Sequence, residues 1–202
     1  MILPGTRTKT ENNYVTVSDG LLLNFVPGAS VGYSLRWINI EYFGPCIRVR
    51  RDSDDMEEDI YFNGVDLDIS YMESFCAGAN GYVVVWYDQS GNTVDASQYT
   101  LAWQPQIVSS GTTILENGKT SIVFVGSDDN MQMTASVIVT ATSASIVAAQ
   151  SNTSGIRILV GSSVSNQITI ASSFGLGIAA STFFNTFSPS NSTSQGLFTV
   201  YR

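Results

Sequence analysis

The segment Thr112-Thr113-Ile114-Leu115-Glu116-Asn117-Gly118-Lys119-Thr120-Ser121-Ile122-Val123-Phe124-Val125 constrains this chain most. Two β-rich runs flank Asn117-Gly118, a pair that supplies the positive φ values of a two-residue hairpin turn. The rest of the chain repeats the same grammar. Short apolar, β-branched runs at residues 14–17, 21–26, 81–87, 106–109, 136–141 and 155–160 are bounded by Gly, Ser or Asn, and they read as strands. One helix is expected over residues 69–76: Asp68 caps it, Ile69, Met72 and Phe75/Cys76 share a face, and Gly78 ends it. Many short strands with one short helix predict an all-β fold, a jelly-roll or concanavalin-A-like β-sandwich. Residues 1–30, punctuated by Pro4-Gly5 and Pro27-Gly28, read as an arm or leading strands, and residues 31–202 as the sandwich.

Charge divides the sequence. Only 13% of residues are charged, against ~25% in an ordinary globular domain. All seventeen acidic residues lie at or before Asp129, and beyond it the only charges are Arg157 and Arg202. A net charge of −8 repels phosphate backbones, so nucleic acid is not an expected partner. No apolar run approaches the ~20 residues of a membrane-spanning helix, and the first ten residues lack the apolar core of a signal peptide. Cys46 and Cys76 make one disulfide at most, and free buried thiols are the favoured reading.

There is no histidine, which removes the commonest general base and the commonest zinc ligand. No phosphate-binding loop or nucleophile elbow is present, so neither metal nor cofactor is expected. Carboxylates remain. In Arg48-Val49-Arg50-Arg51-Asp52-Ser53-Asp54-Asp55-Met56-Glu57-Glu58-Asp59, three readings are open: a calcium loop, a carboxylate active site, or a structural ion-pair network. Neighbouring arginines compete with a cation and the EF-hand ligand order is missing, which favours the network. Its expected members are Arg48, Arg50, Arg51, Asp59 and Asp88, because a buried guanidinium needs a carboxylate partner. In Trp86-Tyr87-Asp88-Gln89-Ser90-Gly91-Asn92, Trp86 and Tyr87 are candidate sugar-stacking residues. The stronger reading makes Asp88 a turn-forming residue and the aromatics core.

Tyr33-Ser34-Leu35-Arg36, Tyr42-Phe43-Gly44-Pro45, Ile47-Arg48-Val49-Arg50-Arg51, Asp54, Glu57, Asp59-Ile60, Phe75-Cys76-Ala77-Gly78, Trp86 to Asn92, and Gln104-Pro105 occur in an order and spacing that resembles the N-terminal part of the α-L-arabinofuranosidase B catalytic domain. The same string resembles a domain of tailed-bacteriophage virion proteins. The resemblance covers roughly residues 33–129; beyond them only the β character is shared. Where the family places its two catalytic carboxyls later in the domain, near an adjacent cysteine pair, this chain has neither acid nor cysteine. The family's short disulfide loop from Phe-Cys-Ala-Gly is also lost, its second position falling in Asn80-Gly81-Tyr82. The resemblance therefore implies no catalytic residue here.

The resulting expectation is a non-enzymatic structural component of a bacteriophage virion: capsid decoration, a head fibre or a tail-associated protein. Its partners would be other virion proteins and copies of itself. Two alternatives stand behind it, a carbohydrate-binding adhesin contacting host-surface glycans and an α-L-arabinofuranosidase-like glycoside hydrolase. The uncharged C-terminal third, ending on the strand-like Leu197-Phe198-Thr199-Val200-Tyr201-Arg202, leaves sheet edges unguarded by lysine. It predicts that residues 1–30 or 185–202 meet another chain.

Overall fold

The computed structural model describes residues 20–25, 28–124 and 128–134 in full and, outside them, strands alone. The chain is an all-β sandwich whose strands, in order, are β1 (Thr6–Thr8), β2 (Tyr14–Thr16), β3 (Ile47–Arg51), β4 (Glu57–Ile60), β5 (Phe62–Asn63), β6 (Asp66–Leu67), β7 (Gly81–Trp86), β8 (Ala96–Ser97), β9 (Gln106–Ser109), β10 (Thr112–Thr113), β11 (Leu115–Glu116), β12 (Lys119–Thr120), β13 (Gln132–Met133), β14 (Ser143–Ala148), β15 (Ile156–Val160), β16 (Ile168–Ala171), β17 (Leu176–Ile178) and β18 (Gly196–Tyr201). Two helices interrupt them, α1 (Leu22–Phe25) and α2 (Ile69–Cys76). The structure divides into two compact units, Met1–Ala135 and Ser136–Arg202. In the second, β14 pairs antiparallel with β18, and β15, β16 and β17 form an antiparallel sheet.

The first unit is organised by a seven-stranded antiparallel sheet. β3 lies between β4 and β7, with Arg48 opposite Asp59 and Ile47 opposite both Ile60 and Trp86. The other edge of β7 is shared. β9 pairs with its first two residues and β8 with its last two, and β13 extends the sheet beyond β8. The chain between β8 and β9 therefore has to cross the middle of β7. It is pinned there by Gln98 N donating to Val84 O at 2.8 Å and by Val83 N donating to Pro105 O at 2.8 Å.

Alternation along the strands sorts the two faces. Ile47, Val49, Ile60, Val83, Ile107 and Val108 are sealed into one core, together with Met72 and Cys76 of α2. Burial of such side chains contributes roughly 1.5–3 kcal/mol each. Helix α2 forms as its sequence predicts: the Asp68 side chain accepts from Tyr71 N at 3.1 Å, and Ala77 ends the helix in the left-handed region, followed by Gly78 at φ 90°. Its close seat depends on Gly81 of β7, where a Cβ would lie 2.9 Å from Cys76 Sγ and 3.0 Å from Val108 Cβ. Both cysteines are free and buried, and burial raises the Cys76 thiol to about 11.

The Asn117-Gly118 hairpin joins β11 to β12, with φ 50° and 74° at its two turn residues. The strand expected over residues 21–26 is instead the helical turn α1. Asn24 closes it from both directions, its Oδ1 accepting from Leu21 N at 3.1 Å and its N donating to Leu21 O at 2.9 Å. Leu21 joins the core while Leu22 and Phe25 stay exposed, so two apolar residues that suggest a buried strand face solvent. The strand expected over residues 136–141 lies outside the described residues; that over 155–160 is β15.

Candidate functional site

The face of the sheet opposite α2 carries charged side chains beside buried valines. On it, Arg48 and Arg50 alternate with the core residues Ile47 and Val49 and meet the strand-four residues in register. Arg48 grips Asp59 with both arms of its guanidinium, Nε to Oδ1 at 2.8 Å and an Nη to Oδ2 at 2.9 Å. Tyr87 adds its hydroxyl to the same Oδ1 at 2.8 Å. The fork holds the Asp59 carboxyl below the usual carboxylate range. Burial and the hydrogen bond to Asp59 push the Tyr87 phenol well up, so the cluster carries an ionised acid and a neutral phenol.

The sign of the resulting pH dependence follows from a depressed carboxyl. Its contribution is fully present above the unfolded value of ~3.9 and is lost as pH falls through the lower folded value. Arg48 is partly exposed, so screening limits the pair to about 1 kcal/mol. Asp59→Asn is expected to lose that much at pH 7 in urea unfolding, with the gap to wild type closing below pH 4.

Arg50 is only 6% exposed, and its partners are Gln104 Oε1 at 2.7 Å and Asp55 Oδ1 at 2.6 Å, with the guanidinium 5.0 Å from the Tyr82 ring centroid. Sequence reasoning sought that partner in Asp59 or Asp88. Asp59 is taken by Arg48, and Asp88 lies elsewhere: its Oδ1 accepts from Gly32 N and Ser90 N, both at 2.8 Å, and its Oδ2 from Ser90 Oγ at 2.7 Å and Val94 N at 3.2 Å. Arg51 pairs with Asp54 through two 2.7 Å contacts and donates to Phe75 O at 2.8 Å. The network of arginines and acids thus splits into three local pairs and a separate aspartate that organises a loop.

Gln104 carries the hydrogen bonding onward. Its Nε2 donates to Gln98 O at 2.9 Å, while Gln98 Nε2 donates to Asn130 Oδ1 at 2.8 Å and Gln98 Oε1 accepts from Thr100 N at 2.9 Å. These buried amides brace the crossing between β8 and β9, a 3-10 turn at Leu101–Trp103, from beneath. On the outer side lies a concavity of about 350 Å³, walled by Ser97, Tyr99, Thr100, Trp103, Gln132 and Thr134. Tyr99 is 73% exposed and Trp103 42%.

Trp86 and Tyr87, the candidate stacking residues, are half-buried. Trp86 packs against the core, its ring tilted 43° to that of Tyr33 at 5.8 Å. Tyr99 and Trp103, which sequence reasoning missed, are among the exposed aromatics of the described residues and are the two that border this hollow. Their signal was Tyr99-Thr100-Leu101-Ala102-Trp103, three large apolar residues on a connection too short to hide them.

The sheet thus carries one ionised, tyrosine-bonded carboxylate, Asp59, and a separate aromatic-edged hollow at the β8–β9 crossing. The chain belongs to the family described as alpha-L-arabinofuranosidase B, catalytic, which matches residues 27–182. Among solved structures it is similar to the crystal structure of arabinofuranosidase complexed with arabinofuranosyl-alpha-1,2-xylobiose, at TM-score 0.47 and 19% identity, over 78% of this chain and 40% of that one. The chain thus spans less than half the length of that relative. No curated protein matches it.

The family membership corrects two expectations. The chain was read as a non-enzymatic virion component; the family it belongs to is a catalytic one, linked to glycoside cleavage and not to a virion. The adhesin alternative gains nothing from the match. The resemblance was also drawn too short, since the match runs more than fifty residues past Asp129, through sequence where low charge left only β character visible. Among the described residues no helix is long and apolar enough to cross a membrane.

Proposed function

We infer that the chain is a glycoside hydrolase of the arabinofuranosidase type, acting on terminal α-L-arabinofuranosyl groups. The observation that carries this reading is the continuous family match over residues 27–182. Such hydrolysis uses two carboxyl groups, one protonating the leaving oxygen and the other attacking the anomeric carbon or activating water. All seventeen acids precede residue 130, so a chain that acts alone draws both groups from residues 1–129. Asp59 meets one requirement of the ionised partner: its carboxylate stays deprotonated, and the hydroxyl of Tyr87 steadies it.

The test is release of nitrophenol from 4-nitrophenyl α-L-arabinofuranoside by the full chain, with the first-formed anomer read by NMR. Turnover that disappears when the acids of residues 1–129 are replaced one by one, at two of those positions, supports the reading. A folded chain that releases no nitrophenol above the buffer rate overturns it.

A further inference from the structure

We propose that the hollow beside Trp103 and Tyr99 is a binding site for a neutral oligosaccharide segment of the substrate. The inference rests on the hydrolase reading above for the identity of the sugar, and on three observations for the site.

The first is chemical. The walls hold no Asp, Glu, Lys or Arg: they are the hydroxyls of Ser97, Thr100 and Thr134, the amides of Gln98 and Gln132, the Met133 side chain and two aromatic rings. In a chain of net charge −8, a concavity free of carboxylates and of cations is selective. It offers no counter-charge to a uronic acid, a phosphate or an amine. It offers hydrogen-bonding groups that match sugar hydroxyls and ring faces that match the C–H side of a pyranose or furanose.

The second is exposure. At the edge of this hollow Tyr99 is 73% exposed and Trp103 42%, so both rings present area to an incoming ligand. The third is rigidity. Gln98, which lines the hollow, is held in a buried chain of side chains from Arg50 through Gln104 to Asn130, and each link has a partner within 2.7–2.9 Å. β13 closes one side by pairing Gln132 with Ser97. A backbone braced in this way limits the loop entropy that binding would cost. The volume, about 350 Å³, lies at the lower end of the ~300–1,000 Å³ of small-ligand sites, a size for one or two sugar rings.

Tryptophan fluorescence gives a direct readout, because Trp37 is buried and Trp86 half-buried, leaving Trp103 as the exposed indole. Titration of the full chain with linear arabino- and xylo-oligosaccharides is expected to change the emission saturably, and hexagalacturonate to leave it unchanged. Tyr99→Ala, at a site so exposed that folding is unaffected, is expected to weaken binding about tenfold. Gln132→Ala, checked by circular dichroism, is expected to weaken it as well. Equal binding of the neutral and anionic sugars, unaltered affinity in both variants, or no binding at millimolar oligosaccharide each overturns the proposed site. The two readings fail separately: saturable binding without nitrophenol release removes the hydrolase alone, and nitrophenol release without oligosaccharide binding removes the binding site alone.

Discussion

Asp88→Ala is expected to destabilise the first unit by on the order of 3 kcal/mol or more in urea unfolding. Asp88 is 2% exposed, and its two oxygens accept from the backbone N–H groups of Gly32, Ser90 and Val94 and from the Ser90 hydroxyl. Removing the carboxylate leaves all four donors without this acceptor. Each buried donor left unsatisfied costs roughly 1–3 kcal/mol, with water able to reach those nearer the surface. The loss is large against a total stability of about 5–15 kcal/mol. The contact to Gly32 spans 56 residues, so the variant also unfastens the segment before β3 from the loop after β7. Asp88→Asn separates the acceptors from the charge. Its single oxygen can serve Gly32 and Ser90, while its NH₂ faces the Val94 N–H, so about half the loss should remain. If Asp88→Ala unfolds within 1 kcal/mol of the wild type, the loop is not held in this way.

That aspartate marks how far sequence alone reaches. Where structure is local, it was legible. The Asp68 cap, the Met72–Cys76 face and the Asn117-Gly118 turn depend on residues within one or two turns of one another, and each forms as its spacing dictates. The fold class follows from the same short-range grammar. The turn role of Asp88 was legible for the same reason, since Ser90 and Val94 lie close in sequence, but its contact with Gly32 was not.

Partnerships across long separations were misjudged. Arg50 does pair with an acid, but it is Asp55, five residues on, and not Asp59 or Asp88, and its guanidinium also donates to the neutral Gln104, 54 residues away. The leucines of residues 21–26 were read by composition, and their helical turn is decided by one Asn side chain. Tyr99 and Trp103 lie outside the Trp-Tyr-Asp-Gln-Ser-Gly string, whose own aromatics, Trp86 and Tyr87, are half-buried. Function was misjudged too. The acid-free C-terminal third was taken as evidence that chemistry had gone, although family membership extends to residue 182.

Gln89→Glu, a change of one atom's identity, is expected to be moderately destabilising at pH 5 and severely destabilising at pH 7. Gln89 is fully buried. Its Oε1 accepts from Ile38 N at 2.9 Å, and its Nε2 donates to two carbonyls, Ser34 O at 2.8 Å and Arg36 O at 3.0 Å. Its own backbone N donates to Gly32 O at 2.8 Å, and its O accepts from Asn39 Nδ2 at 2.7 Å, so the residue clamps the whole segment from Gly32 to Asn39. In the variant a carboxyl oxygen replaces Nε2 and points at two carbonyl oxygens. Ionised, it is a buried charge with repulsive neighbours; protonated, it donates to one of them and leaves the other unmet. The folded state therefore holds the proton, and the folded pKa rises above the unfolded value of ~4.3. A raised pKa means that the variant's deficit is smallest below the unfolded value and grows by about 1.4 kcal/mol per pH unit until the folded value is reached. From pH 5 to pH 7 the pH-dependent part of the deficit should thus widen from about 1 kcal/mol to about 3–4 kcal/mol, on top of a constant cost of roughly 1–3 kcal/mol for the unmet carbonyl. Gln89→Met is the control: it removes all three side-chain hydrogen bonds, the one from Ile38 N included, without a titrating group, and should show a deficit that is flat over this window. The depressed carboxyls of Asp54 and Asp59 stay ionised between pH 5 and pH 7, so the wild-type baseline does not move on their account. Urea midpoints for the three proteins at half-unit steps decide it: a Gln89→Glu deficit as flat as that of Gln89→Met means that residue 89 does not face the two carbonyls.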